Sequence, residues 1–368
     1  MELSVDDIAR HIWHKRKGEF KEMIRKDLES LPAYVPGARM DDAVKLSSNE
    51  SSFAPLPAAA KAMSEAAAGV NRYPDMGAVE LRTQLAAHLG VEFEQTAVGA
   101  GSSALCQQLV QATTTADNEV VFPWRSFEAY PIFAQVVGAT PVPVALTAGQ
   151  AVDLEGIAAA VTEKTSLIFI CNPNNPSGTT ISNDEFEAFM AKIPSNIVVG
   201  LDEAYFEYNR AENQPVATEV ITKYDNVVGL RTFSKAYGLA GARVGYAFGP
   251  QNIIEAVNKV AIPFSVNSVA QAGAVAALEA KEELKERIDE AVIERARIVD
   301  ALSAWGAIPS EANFVWCPKD ALSKQPQELA ALLADAGVLV RAFPEGIRIT
   351  STTAFETDVL LKAIESVS

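Results

Sequence analysis

Between residues 46 and 264 the chain alternates short apolar runs with stretches of helical periodicity, and few folds accept that order. The apolar runs lie at 96–98, 119–122, 140–144, 166–171, 197–202, 227–232 and 244–248. Each has the length of a strand. Residues 103–112, 127–137 and 183–190 carry apolar side chains at helical spacing. The alternation predicts an α/β domain: a mostly parallel seven-stranded sheet sandwiched by helices. From about residue 265 the pattern changes to two long helices, 268–280 and 282–305. Short strands at 314–317, 338–341 and 347–350 follow, and a helix over 356–366 closes the chain. That reads as a smaller α+β domain. The expected division is an N-terminal extension and arm (1–45), a large domain (46–264) and a small one (265–368). Two domains suit 368 residues.

In this plan the polar residues of chemical interest fall at strand ends. Asp202 closes one predicted strand and Asn175 follows another. Ser234 and Lys235 follow a third, and Gly101-Ser102 a fourth. Right-handed crossovers bring the ends of parallel strands to one rim, where such sheets bind ligands.

Three runs carry the chemistry. The first is Arg231-Thr232-Phe233-Ser234-Lys235-Ala236-Tyr237-Gly238-Leu239-Ala240-Gly241-Ala242-Arg243. An amine after a serine, with an arginine eight residues on, can form an imine while its neighbours hold a phosphate. Arg243 offers a bidentate fork, and Ser234 and Thr232 offer hydroxyls. Gly99-Ala100-Gly101-Ser102-Ser103 follows a strand and opens a helix, so its N–H groups suit an anion. The other two runs are Asn172-Pro173-Asn174-Asn175-Pro176-Ser177-Gly178 and Asp202-Glu203-Ala204-Tyr205. Taken alone, Asn175 fits a turn and Asp202 a helix cap.

Together and in this order the runs resemble the fold-type I aminotransferases, and among them the histidinol-phosphate and aromatic aminotransferase branch. Ile24-Arg25-Lys26-Asp27-Leu28 and Pro32-Ala33-Tyr34-Val35-Pro36-Gly37 make the resemblance closest to the actinobacterial aromatic (phenylalanine) aminotransferases. The resemblance implies pyridoxal 5'-phosphate carried by Lys235. It makes Asp202 the partner of the pyridine nitrogen, with Tyr205 and Asn175 bonded to the phenolic oxygen. Gly101, Ser102, Ser103, Thr232, Ser234 and Arg243 would hold the phosphate. Phe127 aligns with an aromatic that stacks on the cofactor ring, and a place in the core is open to it as well. Asn71-Arg72-Tyr73-Pro74 matches a run whose tyrosine, here Tyr73, reaches the phosphate of the partner subunit, which implies a homodimer with shared active sites. Arg348 matches the arginine that takes the substrate α-carboxylate, with Asn49 nearby. Here Asn49-Glu50-Ser51-Ser52 departs from the common Asn-Glu-Asn-Pro. Tyr34 and Arg341 match positions around the substrate side chain.

The implied reaction is a ping-pong transfer of an amino group between an aromatic amino acid and a 2-oxo acid. Histidinol phosphate stays open as the alternative substrate, since Arg341 is available as an extra cation. The amino donor, the translation start, the role of residues 1–22 and the extent of domain closure are not legible.

Composition excludes other classes. A formal charge of −16 argues against nucleic acid or an anionic membrane as partner. Three histidines and three scattered cysteines leave little for a zinc site or a histidine triad. His11 and His14 could share a helix face, but no third ligand is evident, and no metal is expected. The N-terminus lacks an apolar leader, and no run of about 20 apolar residues could span a bilayer, so a cytoplasmic protein is expected. Val5, Ile8, Ile12 and Trp13 recur at helical spacing in the extension. Gly99–Ala104 formally fits a dinucleotide fingerprint, yet Phe122-Pro123-Trp124-Arg125 stands where the ribose-binding acid belongs. That reading also leaves Lys235 unexplained. A pyridoxal-binding regulator lacks its DNA-binding domain, and a lyase on the same scaffold would differ in needing no 2-oxo acid.

Overall fold

A computed structural model of the chain describes residues 25–31, 40 and 42–367. The N-terminal helical pattern lies outside the described residues. Lys26–Ser30 is a short 3-10 turn in a compact unit of its own; all that follows concerns the unit from residue 34 onward.

The strands, in chain order, are β1 (Val44–Lys45), β2 (Thr96–Gly99), β3 (Glu119–Trp124), β4 (Thr140–Ala145), β5 (Thr165–Cys171), β6 (Val198–Asp202), β7 (Val227–Thr232), β8 (Gly245–Phe248), β9 (Phe314–Pro318), β10 (Val338–Leu339), β11 (Arg341–Phe343) and β12 (Gly346–Thr350). Seven of them form one sheet in the order β2-β8-β7-β6-β5-β3-β4. All run parallel except β8, which is antiparallel to both neighbours. The expected seven-stranded sheet is present, and each apolar run lies within a residue or two of its strand.

These strands read as continuous apolar runs because both faces are covered. In β5, Ile168 and Ile170 enter one core with Val199, Leu201 and Phe186. The alternate residues Leu167, Phe169 and Cys171 enter a second, with Leu109, Tyr130 and Ile254. A third core gathers Leu46, Val315, Cys317, Leu329, Ile347, Ile349 and Leu360 around the three-stranded sheet β11-β12-β9. The helix Lys281–Ala301 joins the cores: Leu284, Ile288 and Ala291 pack into the first, Ile298 into the third.

Two expectations need correction. The helix predicted over 127–137 is Tyr130–Val136, with Pro131 in its first turn. Proline suits that position because its missing N–H would go unbonded there anyway. The run predicted as one strand over 338–341 is two. Val338 and Leu339 pair in parallel with β1, whereas Arg341–Phe343 pairs antiparallel with β12, so the chain changes sheets at Val340. The helix Pro57–Ala67 was not foreseen: Ala59, Ala62, Met63 and Ala66 recur at helical spacing on its less exposed face, but three of the four are alanines. It packs against Ser268–Glu279. A Cβ on Gly273 would sit 2.6 Å from Met63 Cγ, so glycine sets that approach.

Beneath the sheet rim lies a buried ion pair. Arg231 Nε donates to Glu203 Oε2 at 2.7 Å, and Glu203 Oε1 accepts the Ala217 N–H at 2.8 Å. The guanidinium carbon lies 3.6 Å from the centre of the Phe206 ring. The side chains are 4% and 1% exposed. Removing one member strands the other charge, which costs roughly 3–5 kcal/mol. Glu203→Ala should lose about that much in chemical denaturation, and a loss under about 1 kcal/mol, the range of exposed pairs, would refute the assignment.

Candidate active site

The C-terminal ends of the parallel strands open into a cavity of about 530 Å³. The segment Ser47–Glu50 and residues of β11 and β12 complete its wall.

Asp202 is the last residue of β6, buried beneath the cavity floor. Tyr130 Oη donates to its Oδ2 at 2.7 Å and the Ala204 N–H to its Oδ1 at 3.2 Å. Tyr130 is itself fixed by stacking on Phe169, with ring centres 4.5 Å apart. Burial pushes the Asp202 carboxyl up to about 6, against the two hydrogen bonds that favour its charge. A buried carboxylate of this kind is stabilised by an incoming cation.

Lys235 stands across the cavity in the turn after β7, its Nζ donating to the Ser48 carbonyl at 3.1 Å. Burial, with Arg348 and Arg243 nearby, holds this amine down at about 7, despite Glu50 and Asp202. An amine lowered this far is in large part neutral, hence nucleophilic, near neutral pH.

The anion end is built where three strands lie abreast. Gly99 pairs with Gly245, and Gly245 with Thr232. Because β8 runs antiparallel, it starts at the rim where β2 and β7 finish, and this brings Arg243 beside Ser234 and Gly101. Arg243 Nη1 donates to Ser234 Oγ at 3.4 Å and to the Ala240 carbonyl at 3.0 Å; Nη2 donates to the Ala100 carbonyl at 3.3 Å. Gly101 has φ +82°, and a Cβ on it would sit 2.5 Å from Arg243 Nη2. A Cβ on Gly245 would sit 2.4 Å from the Ser102 nitrogen. Both glycines thus keep the first turn of the helix Ser102–Thr113 and the guanidinium close together. The Thr232 hydroxyl bonds to Ser234 Oγ at 3.0 Å.

The opposite end holds Arg348 of β12. Its Nη1 donates to Asn175 Oδ1 at 2.6 Å and its Nη2 to the Ser47 carbonyl at 2.8 Å. Asn49 is held at φ +56° by Thr350, whose Oγ1 accepts the Asn49 N–H at 3.0 Å and donates to Oδ1 at 3.2 Å. Asn49 Nδ2 donates to Tyr205 Oη at 2.9 Å. Beyond Arg348 the wall turns apolar, with Phe127, Ile132, Phe133 and Phe343, and ends at Arg341 and Glu128.

The cavity thus gathers Asn49, Ser102, Ser103, Phe127, Asn175, Asp202, Tyr205, Thr232, Ser234, Lys235, Arg243, Arg341 and Arg348, with Gly101 behind Arg243. Tyr73 is not among them. It is 82% exposed and stacks on Phe264, ring centres 4.6 Å apart. Tyr34 lies outside the described residues. Tyr130, Ser48 and Glu128 were missed. Glu128 and Tyr130 are placed by the loop 126–129, part of which helical periodicity had absorbed into a helix, whereas Ser48 takes part through its backbone carbonyl, which no side-chain pattern marks. Among the described residues no group of histidines, cysteines or acids could hold a metal.

The family model "Aminotransferase class I and II" matches residues 41–365. The chain is 64% identical to the aromatic amino acid aminotransferase of Corynebacterium glutamicum (strain ATCC 13032), over 94% of this chain and 99% of that protein. It is 52% identical to the protein of the same name from Rhodococcus jostii, over 92% and 94%. A crystal structure of histidinol-phosphate aminotransferase from Sinorhizobium meliloti in complex with pyridoxal-5'-phosphate superposes with a TM-score of 0.84 at 29% identity, over 95% of this chain and all of that one. A double mutant of the Thermus thermophilus aspartate aminotransferase superposes with a TM-score of 0.78 at 25% identity, over 89% and 92%. With a half-buried lysine and a buried aspartate on one cavity between two arginines, and a match along nearly its whole length, the chain belongs to the class I and II aminotransferases.

Proposed function

We propose that this chain is a pyridoxal 5'-phosphate-dependent transaminase that moves an amino group between an aromatic amino acid and a 2-oxo acid. The convergence of Lys235, Asp202, Arg243 and Arg348 on one cavity carries the reading. The residues fit the cofactor by their own chemistry. Asp202, strained toward neutrality by burial, suits a protonated ring nitrogen. Arg243, Ser234, Thr232 and the N–H groups opened by Gly101, Ser102 and Ser103 suit a phosphate. Phe127 offers a ring face and lies on the cavity wall.

Bound there, pyridoxal phosphate supplies an aldehyde that takes up the amino group and an electron-poor ring that acidifies the amino acid's Cα–H. The remaining work belongs to the chain. Lys235 is the amine that would carry the cofactor. Held at about 7, its free Nζ is basic enough to take the Cα proton and acidic enough to return it at neutral pH. Arg348 orients the substrate α-carboxylate with its guanidinium fork, and Asn49 stands beside it. Asn175 and Tyr205 are assigned to the cofactor's phenolic oxygen.

The aromatic preference rests on the names of relatives 52–64% identical and on the apolar wall of Phe127, Ile132, Phe133 and Phe343. Histidinol phosphate finds less support, because Arg341 is already paired with Glu128 at 3.1 Å. The proposed assembly is a homodimer with shared sites. Val70, Tyr73, Met76, Ile262 and Phe264 are all exposed, and the Tyr73–Phe264 stack places their segments side by side. Tyr73 would reach the partner's phosphate. A large domain of 46–264 and a small one of 265–368 remain part of the reading. So does a cytoplasmic role in amino-acid biosynthesis, which three free, buried cysteines suit.

Three measurements test this. Turnover of phenylpyruvate should exceed that of imidazole acetol phosphate by about ten-fold or more in kcat/KM; the reverse order sinks the substrate assignment. Lys235→Ala should lower turnover by about a thousand-fold or more, and a milder loss means another group moves the proton. Finally, acylation of Lys235 in the cofactor-free protein, followed by peptide mapping, should rise about ten-fold per unit below pH 7 and flatten above pH 8. The sign follows from the lowered value: the reactive neutral amine is already fully formed where surface lysines are still protonated. A rate still climbing at pH 10 contradicts the site's electrostatics.

A further inference from the structure

The far end of the cavity carries a charge arrangement that substrate binding must contend with. Glu128 lies between two arginines: its Oε2 is 3.1 Å from Arg341 Nη2 and its Oε1 is 3.5 Å from Arg125 Nη1. Arg125 also holds Glu345 in a two-point contact, Nε to Oε2 at 3.0 Å and Nη2 to Oε1 at 2.9 Å. Two arginines and two glutamates sum to zero. The arginine side chains are only 17% and 13% exposed, so solvent screens them less than it would a surface pair. Both guanidinium carbons lie about 5.5 Å from the centre of the Phe343 ring (5.5 Å for Arg341, 5.4 Å for Arg125), which fixes them against the apolar wall.

Glu128 sits in the loop before the helix Tyr130–Val136 and lines the cavity with Arg341 and Phe343. A substrate that carries a phosphate arm, as histidinol phosphate does in place of a carboxylate, would meet Arg341 with its Nη2 already held by the Glu128 carboxylate. The dianion would then lie beside a carboxylate, and like charges in a partly dry site repel. An uncharged aromatic ring leaves the pair intact and meets Phe127, Ile132, Phe133 and Phe343.

Building on the aromatic reading above, we infer that Glu128 is a specificity-determining residue: by neutralising Arg341 it bars substrates that carry a phosphate arm and reserves the pocket for uncharged rings. Exclusion here comes from a repulsive element added against the competitor, a common route to specificity.

The test compares the ratio of kcat/KM for histidinol phosphate to that for phenylalanine in the wild-type holoenzyme, in E128Q and in E128Q/R341Q. Each ratio is internal to one preparation, so the folded fraction cancels. The ratio should rise about ten-fold or more in E128Q, equivalent to about 1.4 kcal/mol, mainly through KM for the phosphate. Adding R341Q should remove the gain. Inorganic phosphate should also bind the E128Q holoenzyme about ten-fold more tightly by calorimetry, a readout that needs no turnover. An E128Q ratio within about three-fold of wild type overturns the inference, as does a gain that survives R341Q. The wild-type ratio alone judges the aromatic reading, whereas its change on substitution judges Glu128, so the two can fail separately.

Discussion

A buried carboxylate and a half-buried amine in one cavity set the terms for everything around them. Neither Asp202 nor Lys235 is at ease in its charged form: burial raises one toward about 6 and lowers the other to about 7. Placing ionisable groups in a site of low polarity is unfavourable unless each gains a partner. Here the surroundings hold them ready instead. Tyr130 and the Ala204 N–H grip Asp202, and the Ser48 carbonyl grips Lys235. The rigidity comes from below the rim, where the Glu203–Arg231 pair ties the residue after Asp202 to the strand that leads into Lys235. Stability is supplied by three apolar cores, and reactivity is concentrated at the one edge that they support.

The sheet's single reversed strand makes that edge complete. Parallel strands deliver only their C-terminal ends to a rim, which accounts for Asp202, Asn175, Gly101 and Ser234. Arg243 is delivered differently, as the lead-in to an antiparallel strand. Register then places Gly99, Gly245 and Thr232 in one row. The row works because glycine stands at 245: any Cβ there would displace the Ser102 nitrogen and with it the start of the helix Ser102–Thr113. A topological detail and a missing methyl group together set how closely the Arg243 guanidinium approaches the start of the helix Ser102–Thr113.

How much of this was legible depended on what each residue answers to. Strands buried on both faces leave near-continuous apolar runs, so the seven-stranded sheet and the rim residues could be read directly. Residues whose role is set by a neighbour far along the chain could not. Tyr130 looks like a core aromatic until β6 brings Asp202 to its hydroxyl. Glu128 looks like an ordinary acid in a helical stretch, and only the folded loop turns it toward Arg341, more than two hundred residues away. Arg341 itself was read as an available cation, because a sequence reveals a charge but not its partner. The helix Pro57–Ala67 escaped notice because its stripe of Ala59, Ala62, Met63 and Ala66 is mostly alanine, which is weakly apolar and marks a buried face less sharply than larger side chains do. Tyr73 was recognised by resemblance alone, and within this chain its exposed ring meets Phe264 and no part of the cavity.

The chain as a whole is strongly acidic, with a formal charge of −16, yet it concentrates arginines in one cavity. Their functions separate by what they are paired with. The contacts of Arg243 run to the Ser234 hydroxyl and two carbonyls, and those of Arg348 include Asn175 and the Ser47 carbonyl. Neutral partners of that kind orient a guanidinium without cancelling its charge. Arg341 meets a carboxylate, and its charge is cancelled. Replacing Arg341 by an apolar residue would remove the charge too, but it would also remove the flat group lying against Phe343 and the tie between β11 and the loop after β3. Keeping the arginine and adding an acid retains the wall while silencing the cation. Selectivity in such a pocket therefore depends on the company each arginine keeps, and a count of cations lining the cavity would misjudge what it can hold.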